Sequence, residues 1–397
     1  FNSLFSNKNN DLIRFNTLAN SIVLLDEVQS IPYKYWKIIN KLCKEISQEL
    51  NIYFIFITAT QPLIFGKNEI KELASKSDYY FKQCKRTKLI NLPYEMEKEE
   101  FFSFVDKIID EKKDKNILII VNTIKLSQEL FKYINENKDK NDDRKLVYLS
   151  TSVIPKSRLE RIENIKNKES KNIVVSTQMV EAGVDIDMDV VIRDMAPLDS
   201  INQSAGRANR ENRGEYLGEV YLVKIKDNDK LVAKYVYRDD ILLESTKSVL
   251  KDKDVIYEQD YKLIGEEYFL NLNKNKSNNK SDKLEKDIYE LEFEEVSKNF
   301  KLIEEQNKVQ LFIELDEEAT EVWNKYKTYL SIEDKFQRKN KLESIKGEFY
   351  KYVISIFKNK CKENIDNNMG FVSKYQLENT YDNDLGYKTE EDSCLIF

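Results

Sequence analysis

The chain contains no histidine. Any mechanism that needs an imidazole as ligand, base or acid is outside its reach, which removes His-based metallonucleases, Ser-His-Asp hydrolases and most zinc enzymes. Cysteine is scarce. Cys43, Cys84, Cys361 and Cys394 are scattered without a CxxC pair or zinc-type spacing, the pattern of a reduced, cytoplasmic protein. No apolar run approaches the roughly 20 residues that span a bilayer, and Phe1 to Lys8 has no basic-then-apolar leader, so no membrane association is expected. The terminal Cys394-Leu395-Ile396-Phe397 fits a prenylation box. Four permissive positions match easily by chance, however, and no polybasic segment stands beside them. An excess of positive charge is missing too. A formal net charge of −6 excludes a globally basic nucleic-acid coat, yet leaves room for a local groove of amides, hydroxyls and a few cations.

What is present is enough apolar residue for real cores: 41% hydrophobic over 397 residues allows two or three domains. The runs at 21–25 and 52–57 are continuous rather than alternating, as for strands buried on both faces, and helical spacing of Tyr35, Ile38, Ile39, Leu42 and Ile46 lies between them. Strand, helix, strand is a βαβ unit and implies a parallel sheet. The same grammar restarts at 117–121, 146–149, 173–175, 190–192 and 220–223, with helices near 124–134 and 156–165. Two α/β sheets in tandem follow, with a boundary near 85–93. Beyond about residue 226 the pattern changes: 271–286 is an Asn/Lys/Ser-rich tract expected to be an exposed loop, and 317–329 and 334–357 read as amphipathic helices. The expected division is a partial first domain at 1–87, a second at 88–226 and a mainly helical accessory domain at 227–397.

Chemistry gathers at the predicted strand ends. Asp26 and Glu27 end the first strand, where a carboxylate can hold Mg²⁺ and its neighbour can orient the attacking water in phosphoryl transfer. Thr58 and Thr60 end the next strand at the same edge. Gln203, Arg207 and Arg210 are spaced to share one helix face, started by Pro197, Asp199 and Ser200 and stopped by Gly214, and two arginines there can stabilise charge on a triphosphate. Gly206 within that helix costs roughly 1 kcal/mol and suggests a close approach. Ser176 and Thr177, ahead of Gly183 and Asp185, and Asn122 with Thr123 after another strand, offer hydroxyls and amides suited to a nucleic-acid phosphate. Taken singly, each has a plain alternative: an acidic turn, a strand cap, a solvated basic face, a capped turn. Their order along the chain is what joins them.

Asp26-Glu27-Val28-Gln29, Thr58-Ala59-Thr60, Val121-Asn122-Thr123, the string from Ser176 to Asp185, and Gln203-Ser204-Ala205-Gly206-Arg207-Ala208-Asn209-Arg210 resemble motifs II to VI of superfamily 2 helicases. The fuller wording, including Leu25 to Pro32 and Ala196 to Gln203, resembles the CRISPR-associated nuclease-helicases of type I interference. The strong similarity covers about residues 21–214. It implies two tandem RecA-like parallel-sheet domains, the first truncated, and ATP-driven movement along single-stranded DNA beside an RNA-guided CRISPR surveillance complex. On that reading Asp26 holds Mg²⁺, Glu27 acts on the lytic water, Arg207 and Arg210 reach the γ-phosphate, and Gln203 helps close the cleft. Gln29, Gly183 and Asp185 border the nucleotide, Thr58 and Thr60 couple the sites, and Asn122, Thr123 and Thr177 hold the strand. The family's HD nuclease needs His ligands and is not in these residues. Gln29 stands where a His is frequent and can still bridge by hydrogen bonds. No Gly-x-x-x-x-Gly-Lys-Ser/Thr loop precedes Asp26, so the chain is expected to be a C-terminal fragment. Two other readings stay open: another superfamily 2 motor such as an RNA helicase, and a non-catalytic nucleic-acid-binding or docking module.

Overall fold

A computed structural model describes residues 1–58, 60–66, 68–167, 170–212, 216–302, 306–366 and 369–389. Ala59, Gly214 and the terminal Cys394-Leu395-Ile396-Phe397 box lie outside them. Contacts divide the chain into two units assembled from separated segments: Phe1–Lys85, Ala196–Asn202 and Tyr237–Glu305 form one, and Arg86–Met195, Gln203–Val236 and Gln306–Phe397 the other. The expected accessory domain at 227–397 is therefore shared between the units. No helix among the described residues is long and apolar enough to cross a membrane.

In the first unit, β1 (Ile22–Leu25) and β2 (Tyr53–Phe56) pair in parallel, joined by the helix Trp36–Glu49. Burial on both faces does not hold here. Alternate residues stay open to solvent, Ile22 at 66% and Tyr53 at 67%, because the connecting helix with Ile38 and Ile39 covers one face of the pair. The polar tract at 271–286 is also not a loop. It forms the end of the helix Tyr261–Asn275 and most of the helix Asn279–Tyr289. Ser281 and Leu284 make a narrow buried stripe, Ser281 Oγ donates to the Lys34 carbonyl, and Lys41 pairs with Glu285 at 2.7 Å, so a few contacts suffice to order a polar helix.

Six parallel strands build the second unit: β3 (Thr87–Met96), β4 (Ile117–Ile120), β5 (Lys145–Leu149), β6 (Asn172–Ser176), β7 (Val190–Asp194) and β8 (Gly218–Asp227), in the order β3-β8-β7-β4-β6-β5. All of β4 is inaccessible, as a central strand covered by helices on both faces must be. Local signals set the crossovers. Thr123 caps the helix Ile124–Asn137 by accepting from Leu126 N at 3.2 Å, and Pro155 opens the helix Pro155–Lys166. Parallel pairing brings the residues that follow each strand to one edge: Asn122, Ser150, Thr177 and Met195.

Residues 306–389 of this unit are not mainly helical. Helices Glu317–Leu330 and Lys335–Phe349 pack on a sheet whose central strands, Lys308–Ile313 and Met369–Val372, run parallel, and the helix expected to reach 357 gives way to the strand Val353–Phe357. A hairpin pairing Tyr381 with Tyr387 docks on the loop after β5, where Tyr387 N donates to Ser152 O at 2.9 Å. Gly386 lies there at φ +79°, and a Cβ on it would sit 2.2 Å from Ser152 O and 2.7 Å from Val153 N. Gly386→Ala should lift the hairpin and lower stability by about 2 kcal/mol, since both the backbone conformation and the backbone collision oppose it. Chemical denaturation of the variant checks this, and an unchanged midpoint would contradict it.

Candidate functional site

In the first unit the acidic turn follows β1 directly. Glu27 adopts φ 53°, ψ 43°, a left-handed conformation that costs a non-glycine residue about 1–3 kcal/mol. Its neighbours hold it there: Glu27 N donates to Asp26 Oδ1 at 2.9 Å, and Ser30 Oγ donates to the Glu27 carbonyl at 2.7 Å. Both carboxylates are exposed. Gln29 is buried and makes a relay, its Nε2 donating to Glu27 Oε2 and its Oε1 accepting from Thr58 Oγ1. Thr58 also lies 2.5 Å from the Thr60 carbonyl. Thr58 is thus bonded to the acidic turn through Gln29, and the Thr60 carbonyl is a second acceptor for its one hydroxyl proton.

The second unit assembles the other strings, with a correction. Gln203, Arg207 and Arg210 do not share a helix face, because the helix Leu198–Ala205 ends before both arginines. Gly206 lies past the helix and carries no helix-interior cost. The chain is captured instead by a bridge to Met188, whose N donates to Arg207 O at 2.9 Å and whose O accepts from Asn209 N at 2.7 Å. Half-buried Gln203 stays in the last helical turn. Arg207 is buried, with Nε donating to the Val180 carbonyl at 2.9 Å and Nη2 to the Glu181 carbonyl. Arg210 N donates to Asp187 Oδ1 at 2.7 Å, and its side chain, 43% exposed, pairs with Asp185 at 2.8 Å. The loop from Thr177 to Asp187 and the turn carrying the arginines are one clamped cluster. Gly183 gives that loop its φ of +72°.

Of the proposed strand contacts, Thr123 and Thr177 follow adjacent strands, and Gln178 Nε2 ties them by donating to the Asn122 carbonyl at 3.0 Å. Thr177 is 5% exposed. Asn122 requires a second correction, since its side chain points inward. Its Nδ2 donates to Asp194 Oδ2 at 2.6 Å and to the Met195 carbonyl at 2.8 Å, and its Oδ1 accepts from Arg193 Nη1 at 2.8 Å. Arg193, wholly buried, also pairs with Glu181 at 2.7 Å. Burial pushes the Asp194 carboxyl up to about 7, against the lowering effect of Arg193 and three donors. Sequence reasoning missed this network. Its signal was the Arg193-Asp194 pair closing an otherwise apolar strand, a charge pattern that a fully buried strand carries only when paired.

The family model described as CRISPR-associated nuclease/helicase Cas3, C-terminal, matches residues 113–213, the stretch from the start of β4 region to the clamped arginines. A Cas3 nuclease/helicase of Methanothermobacter thermautotrophicus is 27% identical over 254 residues, covering 58% of this chain and 29% of that protein. Another, of Haloferax volcanii, is 24% identical over 320 residues, covering 58% and 34%. Over these stretches the chain is similar to the C-terminal part of CRISPR-associated nuclease/helicases. It spans about a third of the length of these relatives, 29% and 34%. Two solved structures share its fold: T. fusca Cas3-ATP at 13% identity and TM-score 0.63, over 92% of this chain and 52% of that one, and a chain of a CRISPR RNA-guided surveillance complex, pre-nicking, at 15% identity and TM-score 0.56, over 92% and 55%.

Proposed function

We propose that this chain carries the phosphate- and strand-handling parts of an ATP-driven motor that moves along single-stranded DNA in CRISPR interference, in the cytoplasm and beside an RNA-guided surveillance complex. The observation that carries the reading is the clamped cluster of the second unit, which lies at the C-terminal edge of a parallel sheet, where open α/β sheets bind ligands. Arg207 is committed to two carbonyls, so it positions the loop, and half-exposed Arg210 is the arginine suited to a phosphate. In the first unit Asp26 fits Mg²⁺. Its carboxylate is exposed with one oxygen taken by Glu27 N, and a single carboxylate is what an ion held mainly by water and phosphate oxygens requires. When bound, that ion neutralises charge on the triphosphate. Glu27 is the residue assigned to the attacking water.

Fluorescence anisotropy with labelled oligothymidylate, oligouridylate and duplex DNA tests the strand assignment. Oligothymidylate is expected to bind with Kd of about 10⁻⁶–10⁻⁴ M, weakening steeply with salt. Preference for oligouridylate would move the chain to an RNA motor, and absence of binding to all three would remove the strand-handling role.

A further inference from the structure

One cation beside the clamped loop has no carboxylate counterpart among the described residues. Arg158 lies on the helix Pro155–Lys166, one turn from its start, and is half-buried. Its Nε is shut away from solvent without a hydrogen-bond partner, and Nη1 reaches Met179 Sδ at 3.9 Å, a weak acceptor that balances no charge. No carboxylate among the described residues pairs with it. Neighbouring arginines show what a structural guanidinium does in this unit. Arg161, less than a turn further on, donates to the carbonyls of Tyr148, Asn383 and Asp384, and Arg144 is enclosed by Asp142 and by the carbonyls of Ile109, Lys112 and Lys115. Burial lowers the Arg158 pKa, yet a guanidinium keeps its charge throughout the physiological range. A half-buried cation left uncompensated is a cost to the fold, unless a ligand supplies the anion.

Its position says which anion. Met179 belongs to the turn Gln178–Val180 that follows Thr177, and Thr177 N bonds back to Leu149 O at the end of β5. Arg158 therefore stands at the strand-end edge that also holds Thr123 and Thr177. We propose that Arg158 is a phosphodiester contact for single-stranded DNA, its guanidinium completing with charge a site whose other groups are hydroxyls and amides. This rests on the strand-handling role proposed above.

The test is oligothymidylate binding across a salt series by the parent chain, Arg158→Gln and Arg158→Lys, with thermal melting of each in the absence of DNA. Arg158→Gln should weaken binding about tenfold and reduce the slope of log affinity against log salt by about 0.7, the contribution of one single-strand phosphate. Arg158→Lys should keep the slope while losing part of the affinity, because an ammonium lacks the planar fork. Without DNA, Arg158→Gln should melt no lower than the parent, since it removes an unpaired charge. An unchanged slope in Arg158→Gln, or a lowered melting point that Arg158→Lys restores together with full affinity, would make the residue structural and overturn the proposal. Weaker Mg-ATP binding with unchanged oligonucleotide binding would assign the arginine to the nucleotide and overturn it equally. If the parent chain bound no oligothymidylate, the strand-handling reading would fail first and take this one with it.

Discussion

Replacing Arg193 with methionine is expected to destabilise the second unit by about 3–5 kcal/mol, the usual consequence of removing one partner of a buried ion pair. Arg193 is wholly inaccessible, and the groups its guanidinium meets include Glu181 Oε1 at 2.7 Å, Asn122 Oδ1 at 2.8 Å and the Asp194 carbonyl at 2.9 Å. Methionine fills the volume but leaves Glu181 charged without its closest cation, Ser204 Oγ lying at 3.3 Å. Asp194, already pushed up by burial, would lose the positive neighbour that lowers it and rise further. The size of the loss matters because whole domains are stable by only about 5–15 kcal/mol. Urea denaturation measures it, and the double variant Arg193→Met with Glu181→Leu separates causes. The double variant no longer leaves the buried Glu181 charge without Arg193, while Asp194 loses the same neighbour in both variants, so the double variant should lie closer to the parent than Arg193→Met does. A single variant within about 1 kcal/mol of the parent would show that the pair contributes nothing beyond a surface bridge.

The same network explains where reading the sequence succeeded and where it could not. Strand positions were legible because four or five apolar residues in a row, as at Ile117–Ile120, bury in only a few ways. The edge of the sheet followed from parallel order, and so did the company of Thr123 and Thr177. The end of the helix at Ala205 was not legible. What stops it is the bridge from Met188 to Ala208, a contact between residues twenty apart that no local spacing encodes. Asn122 had the composition of a phosphate contact and points inward, because Arg193 and Asp194 meet it from the neighbouring strand. In the first unit, β1 and β2 carry the apolar run of central strands and yet expose Ile22 and Tyr53, since burial depends on what covers a strand as well as on what it contains. The polar tract at 271–286 fails for the opposite reason. Two inward positions, Ser281 and Leu284, are too few to detect by periodicity and enough to order a helix once Lys37 and Lys41 pair with its Asp282 and Glu285.

Glu27→Gln should leave Mg-ATP affinity within about twofold of the parent and lower turnover by about 10²–10⁴-fold, the range set by losing a positioned proton acceptor. The geometry makes this substitution cleaner than most. Glu27 accepts from Gln29 Nε2 through Oε2, and the Oε1 of a glutamine can accept that same bond, so the line from Gln29 to Thr58 survives. Bonds that hold the turn use backbone atoms of Glu27, its N to Asp26 Oδ1 and its O to Ser30 Oγ, and do not sense the side-chain change. Asp26, the residue suited to Mg²⁺, is untouched. What disappears is the charge that can take a proton from an attacking water. The measurement is DNA-stimulated ATP hydrolysis by the full gene product, beside a binding titration with Mg-ATP. Turnover at the parent rate would remove Glu27 from the reaction. Loss of binding together with turnover would instead make the acidic turn a binding element, and Gln29→Ala then distinguishes the two roles. By breaking the line to Thr58 while sparing the Glu27 carboxylate, it should reduce stimulation by DNA more than it reduces the unstimulated rate.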